Sequence, residues 1–371
     1  MKTIESLKER DFEPQFEALL RELLGRVPFL KLVSLKKEAR LSPDSPDRAD
    51  RLAQVTAGDR KWTLVVEEKR LGQPREVRTA VLQLESYLQH LPTDVPHYGL
   101  LLAPFISEES AKICTEAGIG YADLAGNARL SFDQVFIETR GADNPFREKR
   151  EKRSLFSPRA AQVLRVLLSP PLRAWKVTEL AAAAGVSLGQ VSNVRKLLLD
   201  REWAVASDVG LRLSKPEELA RAWQSSYEQR PQHRATAYTL LHGEALDSAM
   251  RSALVEAGKG EHTVLASYSA ARWFAPYARQ ATQFFYADKK GAEILKRHLQ
   301  LQPVSRGENV VVLEPREADV FSGRVEAAPG IWCSGLVQTW LDLSVAGERG
   351  GEAAEHLLRE KLLPAWKETA P

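Results

Sequence analysis

Cysteine is nearly missing from this 371-residue chain: only Cys114 and Cys333 occur, far apart and without Cys-x-x-Cys spacing. Neither a disulfide framework nor a zinc site is supported by that pattern, and the expected compartment is reducing and cytoplasmic. Long apolar runs are lacking as well. No stretch approaches the roughly 20 apolar residues that span a bilayer, and Met1 to Arg10 is charged, so no membrane partner is expected. The motifs Gly-x-Ser-x-Gly, Walker A and the dinucleotide fingerprint are absent, which removes the commonest sequence support for an esterase, a P-loop NTPase or a nicotinamide enzyme. His242, His262, His298 and His356 are scattered without metal-ligand spacing, and there is no internal repeat or low-complexity tract.

What is present is an ordinary globular composition, 44% hydrophobic and 27% charged, with a net charge of +3. That length and composition suit two or three domains with real cores. The net charge is too mild to prove a nucleic-acid partner, so its distribution matters more. Arg147, Lys149, Arg150, Lys152 and Arg153 form the strongest cluster, interrupted by Glu148 and Glu151. It reads either as a solvated linker or as a phosphate-contacting segment that includes Arg150 and Arg153.

Periodicity predicts a mixed α/β (α+β) multidomain chain. Phe12, Phe16, Leu19, Leu20, Leu23 and Leu24 define an opening amphipathic helix. Ala49–Thr56 and Trp62–Glu68 read as strands around a turn at Ala57-Gly58-Asp59, and Pro74–His90 as a helix with proline in its first turn. A strand at Tyr98–Ala103, a helix at Glu108–Ala117 and a strand at Ile119–Asp123 follow in an expected αβββαβαβ order, of whose first three strands the two above are located. A further hairpin from Ala128 to Glu138 brings the domain to its end near Gly141. The domain boundaries are then 1–145, a basic linker 146–157, a helical domain 158–230 and an α+β domain 231–371.

Within the helical part, KVTELAAAAGVSLGQVSNVRKLLL (176–199) has helix-turn-helix spacing. Thr178 can cap the first helix, Gly185 supplies the turn and Ser187 can cap the second helix. Strands at Trp203–Ser207 and Leu211–Ser214 would form a wing. With Val191, Val194, Leu197 and Leu198 turned inward, Ser187, Gln190, Ser192, Asn193, Arg195 and Lys196 remain to meet base edges or phosphates of double-stranded DNA. A winged helix used only to bind protein is the alternative.

Asp50 opens one strand, and Glu67-Glu68-Lys69 closes the next. Two carboxylates at adjacent strand ends can hold Mg²⁺, while a nearby lysine can orient or help deprotonate water. Alternation puts Glu67 and Lys69 on one face and Glu68 on the other, so Asp50 and Glu67 are the predicted metal ligands. Gln83 and Tyr87 share a face of the following helix. This constellation resembles the PD-(D/E)xK superfamily of restriction-endonuclease-like nucleases, with Gln83 and Tyr87 similar to the Gln-xxx-Tyr element of its RecB-like branch. The resemblance covers roughly residues 11–125 and implies a catalytic set of Asp50, Glu67, Lys69, Gln83 and Tyr87 with Mg²⁺. Glu17 on the opening helix is a further acidic candidate, as is Glu22, and Ala49 stands where the superfamily usually has proline. Tyr121 to Asn127 reads as a turn, with Asp123 or Asn127 beside the carboxylates as the alternative.

In the C-terminal region, Ser267 to Arg272 and Gln338 to Leu343 look like packed helices without an evident reaction. Residues 158–365 resemble the AbiEi-type antitoxins of type IV toxin-antitoxin systems, on the strength of Val177–Ser214, Ser267–Pro276 and Val337–Leu343. That resemblance implies a DNA-binding transcriptional regulator, with a cognate toxin or a homo-oligomer as partner, and the nuclease-like domain is an addition to it. Three readings stay open: a DNA nuclease with Mg²⁺, a non-enzymatic regulator, and a protein-binding adaptor.

Overall fold

The computed structural model describes residues 12–41, 47–91, 95–141, 155–229, 231–277, 280–316 and 318–368. The basic cluster from Arg147 to Arg153, with Arg150 and Arg153, lies outside the described residues. The fold is mixed α/β, and the chain divides into two compact units, Met1–Glu151 with Leu199–Glu202, and Lys152–Leu198 with Trp203–Pro371.

The first unit opens with helix α1 (Glu13–Gly25), whose Phe16, Leu20, Leu23 and Leu24 are buried at helical spacing. Strands β1 (Leu30–Arg40), β2 (Arg48–Ala57) and β3 (Arg60–Glu68) follow as an antiparallel meander. Helix α2 (Pro74–His90) carries the chain to β4 (His97–Ala103), and α3 (Glu108–Glu116) to β5 (Gly120–Asp123). The hairpin β6 (Ala128–Phe132) and β7 (Val135–Thr139) completes a seven-stranded sheet whose spatial order is its sequence order. The pairs β3–β4 and β4–β5 are parallel, because a helix must return the chain to the starting edge before each new strand.

Two apolar layers sandwich this sheet. One joins α1 to Ala53, Val55, Leu64, Val66, Leu100 and Leu102, and the other joins α2 and α3 to Val65, Leu101 and Ala103. The alternation along β3 thus assigns Val65 and Glu67 to the α2 face, and Val66 and Glu68 to the α1 face. The αβββαβαβ order agrees with the sequence reading. The strand that reading does not locate is β1, an edge strand with a bulge at Leu32/Ser34 and exposed Lys31, Lys36 and Lys37, features that break the two-residue period.

In the second unit, α4 (Pro158–Leu168), α5 (Val177–Ala184) and α6 (Leu188–Asp200) precede an antiparallel ribbon of β8 (Ala204–Ser207) and β9 (Gly210–Leu213), then α7 (Pro216–Gln224). Gly185 ends α5 in the left-handed region, at φ 63°, as the turn glycine was expected to. The N-cap is Lys176, however, and Thr178 lies inside the first turn without a capping bond, which corrects the expected start. Gly210 has φ 131°, and a Cβ there would stand 2.4 Å from the Trp175 carbonyl oxygen, so the ribbon can pair with Trp175 only through glycine.

The chain continues through β10 (His233–Tyr238), α8 (Gly243–Glu256), β11 (Thr263–Leu265), α9 (Ser267–Phe274), β12 (Gln283–Ala287) and α10 (Lys289–His298). After β13 (Gln302–Pro303), β14 (Val310–Glu314), β15 (Val325–Ala328) and β16 (Ile331–Cys333), helices α11 (Leu336–Ser344), α12 (Glu348–Leu357) and α13 (Leu363–Lys367) close it. The sheet is mixed, in the order β13-β10-β14-β12-β11-β16-β15. Trp366 of α13 donates its indole N–H to the Leu168 carbonyl at 2.8 Å, tying the last helix to the end of α4.

Candidate functional site

The register that sets Arg51 opposite Val66 carries Asp50 on to Glu67, so the two carboxylates come from neighbouring strands at one end of the sheet. Asp50 is half-buried, and its Oδ2 accepts the Glu68 backbone N–H at 2.7 Å. Glu67 is 1% exposed. Its Oε2 accepts from Lys69 Nζ at 2.7 Å, while its Oε1 is buried without a hydrogen-bond partner. Burial pushes the Glu67 carboxyl up to about 7, and Asp50's negative charge adds to that rise while Lys69 opposes it.

From α2, Gln83 donates to the Tyr87 hydroxyl, which in turn donates to the Arg48 carbonyl at 3.0 Å, two residues before Asp50. Tyr87 is held above the usual phenol value by burial, with Glu67, Asp47 and Asp50 contributing. The five residues expected to act together, Asp50, Glu67, Lys69, Gln83 and Tyr87, therefore meet at one sheet end beside α2.

A buried carboxylate oxygen without a donor is what a metal ligand needs, because an unpaired buried oxygen is otherwise costly. Glu67 and Asp50 fit Mg²⁺, which is commonly held by one or two carboxylates, with water and phosphate oxygens filling the remaining positions. Among the described residues no group of three or more His, Cys, Asp or Glu side chains could hold an ion.

Glu17 goes elsewhere. It bonds Arg21 in its own helix and Arg51 at 3.0 Å, and Arg51 is also paired with Glu68 and with the Glu13 carbonyl. This array lies on the α1 face, since Arg51 is opposite Val66, so Glu17 is not beside Glu67. Arg51, 1% exposed, is the residue that sequence reasoning missed. Alternation had placed Glu68 on its face, but no local signal distinguishes a buried arginine from the many surface ones. Asp123 likewise serves a turn. Its carboxylate accepts the Ile106, Ala125 and Asn127 backbone amides at 2.9 Å each and the Asn127 side chain at 2.8 Å.

On α6, Val191, Val194, Leu197 and Leu198 are buried, while Ser187, Ser192, Asn193 and Lys196 are exposed, with Gln190 and Arg195 half-buried. The Ser187 hydroxyl accepts the Gln190 backbone N–H at 3.2 Å, as a capping serine does. The polar face is therefore continuous along the helix.

Two of the four scattered histidines have carboxylate partners: His262 bonds Asp288 at 2.7 Å, and His298 bonds Glu256 at 2.6 Å. No family model, curated protein or solved structure matches the chain. No described helix is long and apolar enough to cross a membrane.

Proposed function

We propose that the protein binds double-stranded DNA and cleaves its phosphodiesters in the presence of Mg²⁺, through a restriction-endonuclease-like site in the first unit and a winged helix-turn-helix in the second. The observation that carries the catalytic half is the juxtaposition of Asp50, Glu67 and Lys69, with one oxygen of the buried Glu67 left without a donor. Asp50 and Glu67 would hold the ion, whose chemistry is to polarise the scissile phosphate and lower the pKa of a bound water. Lys69 orients the attacking water and offsets charge that builds on the phosphate oxygens. Gln83 and Tyr87 act by position: the Tyr87 bond to Arg48 fixes the strand entry on which Asp50 sits.

The binding half is supported by the polar face of α6, followed in the chain by the β8–β9 ribbon, with Arg195 and Lys196 available for phosphates. Purified protein with Mg²⁺ is expected to nick or cut plasmid DNA, and Lys69→Ala to lower the rate at least a hundredfold while leaving DNA affinity intact. Equal cleavage by that variant would overturn the catalytic assignment. Specific binding to its own promoter without cleavage by the parent protein would instead favour the non-enzymatic, antitoxin-type regulator with a toxin partner.

A further inference from the structure

The two segments to which no role attached, Ser267 to Arg272 and Gln338 to Leu343, are connected through the wall of one cavity in the C-terminal sheet region. Its volume is about 230 Å³, and Gln229, Arg234, Ser267, Tyr268, Phe284 and Leu313 are among its lining residues, none of the full lining being acidic. Gln229 donates to the Tyr286 hydroxyl at 3.0 Å, and Tyr286 donates to Asp342 at 2.9 Å. Gln338 bonds the same Asp342 oxygen at 2.8 Å, so the wall at Gln229 is braced by a buried network.

Three features of the lining point to an occupant. Arg234 is exposed on β10 and has no carboxylate partner among the described residues. Ser267 is 3% exposed and lines the cavity, and its hydroxyl has no hydrogen-bond partner among the described residues. It also sits at φ 46°, a conformation costly for a residue other than glycine and one that recurs at functional positions. Gln229 and Gln280 add two neutral polar side chains, and Phe284, Val311, Leu313 and Ala346 form the apolar part of the wall.

We propose that this cavity binds a small organic anion, a carboxylate or a phosphate ester. Arg234 grips the charged head, Ser267 donates its hydroxyl hydrogen to it, and Phe284, Val311 and Leu313 cover the apolar body. A guanidinium matches either head group through its planar fork of donors. Polar groups that fix a head beside an apolar surface that covers a body are what a small-molecule site needs, and this mixed wall offers both. An adjoining cavity of about 630 Å³ shares Tyr268 and Gln280, which leaves room for a larger substituent. The site stands whether or not the first unit cuts DNA.

Calorimetric titration of the full-length protein at low ionic strength with benzoate, phenyl phosphate and the neutral benzamide tests it. One or both anions are expected to bind saturably, one per chain, at least about tenfold more tightly than benzamide. Arg234→Gln is expected to weaken that binding about tenfold or more, since a hydrogen bond to a charged group commonly contributes that much. Ser267→Ala is expected to weaken it several-fold, with both variants keeping the parent's unfolding midpoint in the absence of probe. No saturable binding of either anion, equal affinity for benzamide, or unchanged affinity in Arg234→Gln would overturn the proposal.

Discussion

Glu67 has Lys69 at 2.7 Å and Asp50 as its neighbour, and its carboxyl is nevertheless pushed up to about 7, so loss of water outweighs the lysine. Its folded pKa lies above the ordinary value of 4.5, so folding favours the protonated form. That stability is fully present below about 4.5 and is lost as pH rises through about 7. Glu67→Gln is therefore expected to stabilise the protein at pH 8 by about 1–2 kcal/mol and to flatten the decline between pH 5 and 8, measured by denaturant unfolding at several pH values. The same substitution removes the candidate ligand, so under the proposed function stability and activity would oppose each other at this residue. Asp342 repeats the pattern in the second unit. Burial raises it to about 6 despite bonds from Tyr227, Tyr286 and Gln338, and its stabilising contribution is lost as pH rises through 6. Asp342→Asn is expected to reduce the pH dependence of unfolding between pH 4 and 6 in that unit.

At the element scale, legibility followed how much of the signal was local. Helix α2 reads directly, because Pro74 sits in its first turn and Val77, Ala80, Val81, Leu84 and Tyr87 recur on one buried face. The carboxylate pair was legible too, since the turn at Gly58 fixes the register of β2 on β3 and alternation then sorts Glu67 from Glu68. Strand β1 and Arg51 were not. The first is an edge whose exposed lysines break the period, and the second is buried only because Glu17 and Glu68, distant in sequence, meet it. The ribbon β8–β9 depends on one backbone position. Gly210→Ala is expected to cost more than about 2 kcal/mol, since its Cβ would meet the Trp175 carbonyl, whereas Gly185→Ala, with open space around it, is expected to cost about 1 kcal/mol. Thermal unfolding of the two variants, compared with the parent, measures the difference.

For the whole molecule, the two candidate sites belong to different units: a carboxylate-lysine cluster at the end of one seven-stranded sheet, and an exposed polar helix face in the other unit. If α6 grips phosphates, Arg195→Ala and Lys196→Ala are each expected to weaken DNA binding across sequences and to reduce the slope of log affinity against log salt by about one. An unchanged salt slope in both would remove α6 from the interface. Everything assigned to the first unit depends on whether Asp50 and Glu67 hold a divalent ion. Titration with Mn²⁺, followed by its paramagnetic resonance signal, reads this without any need for turnover. The expected result is a saturable site at pH 8 that weakens as pH falls below about 7 and is lost in Glu67→Gln and Asp50→Asn. Mn²⁺ binding indifferent to both substitutions, or none at all with and without DNA, would contradict it.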